Sequence, residues 1–192
     1  MPSIVSALLL ALPSTEPVAG ITQAADCVAR RYPRQVDRAI EVRTVADMGA
    51  ALRAIPTKGC PTLLIDDTQA IEQRGMLFAA MYRRHGPVAG RSASNIIIRW
   101  TPTLPTDDPR ITWYQVSDCL VSKMPQATRQ FVSAADASDE ESQYLSRIMP
   151  SLPACLPANQ YRIRRPILKA FLAETIYEID FAVSAGDRRF VW

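Results

Sequence analysis

The chain has 192 residues, of which 48% are apolar and 21% charged. These values fit a folded globular protein and exclude wholesale disorder. A net charge of +3 is too small to point to nucleic acid. A single histidine, His85, excludes any site built on two or more. The glycines at 20, 49, 59, 75, 86, 90 and 186 form neither G-x-G-x-x-G nor a P-loop.

Residues 4–12 are an apolar run that stops at Pro13, of signal-peptide length and too short to span a bilayer. Val18-Ala19-Gly20 supplies small residues for cleavage, so residues 1–20 are expected to be a signal peptide and the mature chain to start near Ile21. The first basic residue is Arg30, so the usual positive start of such a segment is missing. Cleavage would remove Glu16 and no base, giving +4. Asp26 before Cys27 excludes a lipoprotein cysteine, and no later stretch has the length of a membrane span. The expected location is periplasmic or secreted.

The remainder reads as a first helical unit over 21–86, a proline-containing connector over 87–112 and a second helical unit over 113–192. In the first unit, Thr44 begins a helix with Val45, Met48, Leu52 and Ile55 on one face. Thr62–Ile65 is a short extended candidate. The helix around 69–85 carries Ile71, Phe78 and Tyr82 and stops on Arg83-Arg84-His85-Gly86-Pro87. Within the connector, Asn95–Trp100 is a strand or a buried segment, apolar enough to pack against the units. In the second unit, Ser138 opens a capping box, followed by Tyr144, Leu145, Ile148 and Met149 as a stripe. Tyr161–Arg164 is a second extended candidate. Pro166 starts a last helix with Leu168, Leu172, Ile176 and Ile179 facing inward. Pro33 and Pro125 begin short helices.

Cys27, Cys60, Cys119 and Cys155 are separated by 33, 59 and 36 residues, with no C-x-x-C pair. The near-equal first and third spacings accompany an internal similarity. Asp26-Cys27 with Pro33 matches Asp118-Cys119 with Pro125 at an offset of 92. Met76-Leu77 and Met81-Tyr82 match Phe171-Leu172 and Ile176-Tyr177 at an offset of 95. Tyr82 and Tyr177 each lie 22 residues beyond the second cysteine of their unit. A duplicated unit treats its halves alike without crossing only if Cys27 pairs with Cys60 and Cys119 with Cys155. The fold expected is all-α, two similar disulfide-braced helical halves packed as one compact body.

Chemical motifs are sparse. His85, at a helix end beside two arginines, reads as a capping or surface residue. Asp66-Asp67 and Asp107-Asp108 read as turn and helix-start residues, because adjacent carboxylates point apart. Arg162, Arg164 and Arg165 form the densest basic cluster and are the candidate contacts for an anion, against a competing role in salt bridges. Trp113-Tyr114 and Phe190-Val191-Trp192 read as core or docking aromatics. No catalytic residue, metal set or cofactor is assigned.

The chain resembles small exported proteins of alphaproteobacteria, of the sphingomonad type. The resemblance rests on Asp118-Cys119 with Pro125, on Leu152-Pro153-Ala154-Cys155-Leu156-Pro157, and on Arg164-Arg165-Pro166 leading to Leu172–Tyr177. It implies a location and an architecture without an activity. The function expected is that of a non-catalytic envelope protein binding a protein partner or a small ligand, with no nucleic acid. The competing readings are a carboxylate-based envelope hydrolase and a lipid or membrane-surface binder.

Overall fold

A computed structural model of the chain describes residues 16–42, 45–63, 70–86, 110–156 and 164–182. Among these residues the secondary structure is helical, with no strand. The first unit contains α1 (Glu16–Arg31), α2 (Pro33–Ile40), α3 (Val45–Arg53) and α4 (Ala70–His85). The second contains α5 (Arg110–Lys123), α6 (Pro125–Ser133), α7 (Asp139–Ile148) and α8 (Arg165–Tyr177). A 3-10 segment, Met149–Ala154, follows α7, and a π turn, Glu178–Ala182, ends the described chain. Helix α5 begins at Arg110, inside the span read from sequence as connector.

Local chemistry explains most boundaries. Prolines at the starts of α2 and α6 sit where no intrahelical N–H is needed. Ser138 caps α7 by accepting a hydrogen bond from the Glu141 amide at 3.0 Å. Glu141 reaches back to accept from the Ala137 amide at 2.9 Å, closing the expected box one residue early. Gly86 ends α4 at φ +75°, donating to the Tyr82 carbonyl at 2.9 Å. Arg164 is the extended N-cap of α8, which places Pro166 at the second helical position.

Both disulfides lie within a unit. Cys27–Cys60 ties α1 to the segment before α4, and Cys119–Cys155 ties α5 to the segment before α8. Both have Cα atoms 5.6 Å apart, inside the range a disulfide spans, and no cysteine is free. The pairing is the one expected from the spacing.

Helices α4 and α8 cross at the centre, with α1 on α4 and α5 on α8. At the crossing Gly75 meets Ala170 so closely that a Cβ on Gly75 would fall 2.6 Å from the Ala170 Cα. The two central helices are enclosed nearly all round. From Gln73 to Tyr82, and from Leu168 to Ile176, every residue is buried. The expected stripes are present, since Met48, Leu52 and Ile55 on one side and Leu168, Leu172, Ile176 and Ile179 on the other all lie in the core. Met149 departs from expectation. It is 47% exposed, because α7 ends at Ile148 and the tighter 3-10 turn carries the next residue off the stripe.

Several expectations fall outside the described residues: the apolar run at 4–12, Asp66-Asp67, Asn95–Trp100, Asp107-Asp108, Arg162 and Phe190–Trp192. Thr44, Leu64–Ile65 and Tyr161–Ile163 lie outside them too, while Thr62 and Leu63 carry no regular secondary structure.

Candidate functional site

The polar chemistry of the molecule gathers along the seam between α4 and α8. A cation stands at each of two positions 95 residues apart, Arg74 and Lys169, and both are almost fully enclosed. Arg74 donates through Nε (3.1 Å) and Nη2 (2.9 Å) to the carbonyl of Ile40, the last residue of α2. Lys169 donates to the carbonyl of Ala134, the residue that caps α6, at 2.8 Å. Each cation therefore caps the carbonyl end of the second helix of its own unit, where the helix dipole is negative.

Their anionic partners differ. Arg74 pairs through Nη1 with Glu174 at 2.7 Å, and Glu174 also accepts from the Tyr114 hydroxyl at 3.1 Å. Burial raises the Glu174 carboxyl above its ordinary range, outweighing the opposing pull of Arg74 and Tyr114. Lys169 is held by Glu141 at 2.9 Å and by Asp136, which also accepts from Thr22 of α1. Arg165 adds a second cation to Glu141 at 3.3 Å.

A third cluster joins the two units directly. Arg129 of α6 grips Asp180 through Nε (3.0 Å) and Nη2 (2.6 Å). Tyr82 of α4 donates to the same carboxylate at 3.0 Å. Its counterpart at the 95-residue offset, Tyr177, reaches the opposite way and donates to Asp37 of α2 at 3.5 Å, with the His85 ring 6.4 Å away. Burial, reinforced by Glu174, Asp180 and Asp37 respectively, pushes the hydroxyls of Tyr114, Tyr82 and Tyr177 well above the ordinary tyrosine range.

These arrangements favour holding over reacting. An ammonium with a carbonyl and two carboxylates around it has no lone pair to offer, and a carboxylate gripped by a guanidinium and a phenol is a poor base. Among the described residues, no three of His, Cys, Asp and Glu stand together as a metal could require. No helix there is long and apolar enough to cross a membrane.

The sequence-derived candidates are dispersed. Arg164 pairs with Glu72 at 2.7 Å and Arg165 with Glu141, so both described members of the basic cluster face carboxylates. His85 is exposed at the end of α4. Tyr114 is buried edge-on to Phe171, ring centroids 4.8 Å apart, and Trp113 packs beside the same ring. The residues that sequence reading passed over are Arg74, Lys169, Glu174, Asp136, Glu141 and Asp180. For Lys169 and Glu174 the signal was a charge within a largely apolar stretch, as in Leu168-Lys169-Ala170 and Ala173-Glu174-Thr175-Ile176, whereas Arg74 stands between Gln73 and Gly75 and carried no such signal.

The class defined by this architecture is an all-α protein braced by two disulfides. No family model, curated protein or solved structure matches the chain.

Proposed function

We propose that the chain is an exported, non-catalytic helical protein of the periplasm or cell exterior, descended from a duplicated helical unit, that binds a protein partner or small ligand. The observation that carries this reading is the pair of consecutive disulfides with no cysteine left over. Such bonds persist in oxidising compartments and are rare in the cytosol. The buried charges support the non-catalytic part of this reading, because their hydrogen-bonding capacity is spent inside the molecule. Duplication is supported by the paired cations Arg74 and Lys169 and by the reciprocal tyrosines Tyr82 and Tyr177.

Signal removal after Gly20 would take the first five residues, Glu16 to Gly20, from α1. The first buried residue among the described side chains is Thr22, and Gly20 has nothing within 4 Å of a Cβ position. The test is the intact mass of protein recovered from its native host. The expected species starts near Ile21 and carries two disulfides. A cytoplasmic species that keeps the first residues and four free thiols overturns the reading.

A further inference from the structure

One face of the molecule carries charge that the fold does not use. Between Arg30 and Lys58 the sequence holds seven basic and three acidic residues, a net +4 against +3 for the whole chain. The stretch displaced by 92 residues, Ser122 to Pro150, holds three basic and four acidic residues. The structural surplus lies at the corner between α1 and α2. Arg30, Arg31, Arg34, Arg38 and Lys58 are all exposed there. None of the five forms an ion pair with another described residue, whereas Arg74, Arg83, Arg129, Arg164, Arg165 and Lys169 all do.

The corner is rigidly built. Tyr32 donates its hydroxyl to the Lys58 carbonyl at 2.8 Å, and the Cys27–Cys60 bond closes the same loop. Gly59 lies under the Arg31 guanidinium at φ +78°, and a Cβ there would sit 2.6 Å from Arg31 Nη1. On α2, Val36, Ala39 and Ile40 are buried, leaving Arg34 and Arg38, one turn apart, on the outer face. The acids of α2 do not neutralise them, since Asp37 turns inward to Tyr177, and Glu41, which caps the helix three residues past Arg38, forms no ion pair with it.

The α5–α6 corner shows that folding does not require these charges. Tyr32 and Met124, the residues before α2 and α6, have φ/ψ of −130°/48° and −133°/53°. The same turn is therefore made at both corners. Where one has Arg30, Arg34 and Arg38, the other has Ser122, Gln126 and Gln130.

We propose that the α1–α2 corner is a docking face for an anionic phospholipid surface. Four of the five cations are arginines, whose planar forks suit phosphate oxygens. Spread over two helices and a loop, they do not converge on one ion and match instead a plane of repeated phosphates. Among the described residues the large apolar side chain that is exposed, Met149, belongs to the other unit, so the contact at this corner is electrostatic and superficial. This goes beyond the reading as a binder of a protein partner or small ligand, and a vesicle measurement on purified protein is independent of the export test.

The experiment is co-sedimentation of the full chain with vesicles of phosphatidylcholine alone or mixed with phosphatidylglycerol. Binding is expected only to the mixed vesicles, with release at about 0.5 M salt, where screening is short-ranged. Replacing Arg30→Ser, Arg34→Gln and Arg38→Gln together, the residues of the other corner, should weaken partition roughly 100-fold with the fold retained by circular dichroism. Replacing Lys123→Gln and Arg147→Gln should change it less than about 5-fold. Equal partition of the triple variant, equal binding to neutral vesicles, or no binding overturns the proposal. Displacement by low millimolar inorganic phosphate would indicate a single-ion site and overturn it too, as would tighter binding to duplex DNA at matched phosphate.

Discussion

Gly75 faces Ala170 across the crossing of α4 and α8 with no space for a side chain on the glycine, and the two positions are counterparts at the 95-residue offset of the sequence. Helices that meet at equivalent positions are paired as in a self-complementary two-fold contact, which brings each surface against its own copy. The reciprocal tyrosines follow from the same relation, Tyr82 reaching Asp180 and Tyr177 reaching Asp37.

The closeness is directly testable. Gly75→Ala should lower stability by about 1–3 kcal/mol in urea denaturation, because both the side chain and backbone of Ala170 would have to move. A Gly75→Ala protein as stable as the parent would refute the tight crossing.

The buried ammonium gives a larger effect. Lys169→Met leaves Glu141 and Asp136 enclosed without their shared cation, so a loss of about 3–5 kcal/mol is expected. Removing Glu141 as well should cost less than the sum of the two single losses, since the second change removes a buried carboxylate that keeps only the more distant Arg165. Strict additivity in this double-mutant cycle would count against the coupled cluster.

How far could this have been read in advance? The helical class, the cysteine pairing, the Ser138 cap and the Gly86 stop were all legible, because each depends on residues close together in sequence or on counting. The seam was not. Periodicity finds a helix with one apolar face and one wet face, and α4 and α8 have no wet face over most of their length. Arg74, Lys169 and Glu174 occupy positions that a stripe analysis leaves to solvent, and their partners Ile40, Asp136 and Tyr114 are 33 to 60 residues distant along the chain. Arg164 and Arg165 were conspicuous in sequence because they are adjacent, yet both are occupied with carboxylates.

Each disulfide closes a loop, of 33 and 36 residues in sequence separation. On the loop-entropy model, Cys27→Ser or Cys119→Ser should each cost about 3–4 kcal/mol and leave one thiol reactive toward alkylation. Peptide mapping without reductant checks the native pairing. A peptide joining Cys60 to Cys119 is incompatible with it.

Acid–base behaviour follows from burial. The raised Glu174 carboxyl means that, above the ordinary carboxylate value of about 4.3, the folded chain keeps a proton the unfolded chain has lost. Stability should therefore fall as pH rises from about 4.3 through the raised value, and Glu174→Gln should remove that slope. Parallel pH profiles for the two proteins would argue against it.

The enclosed tyrosines act at the other end of the scale. Tyr82, Tyr114 and Tyr177 stay protonated in the folded chain above the ordinary tyrosine value of about 10. The folded state then binds more protons than the unfolded one, so stability falls as pH climbs past about 10. Phenolate absorbance of the native protein should show these three ionising only together with loss of helical circular dichroism. Gradual ionisation with the helices intact would show the hydroxyls to be accessible.

Because the first cysteine is joined to the second and the third to the fourth, covalent closure and packing run on different clocks. Where export keeps pace with synthesis at about 5–20 residues per second, Cys119 reaches the oxidising side roughly 3–12 s after Cys60. For that interval Cys60 has a single possible partner, and a bond formed then excludes four of the six cysteine pairs. Helix α4 has to wait longer. Its cover, α8, arrives some 95 residues later, so the first unit can be stapled while Phe78 and Met81 still lack their neighbours. The early bond shrinks the space that this half-covered unit explores, which limits the time its bare apolar flanks spend accessible to other chains.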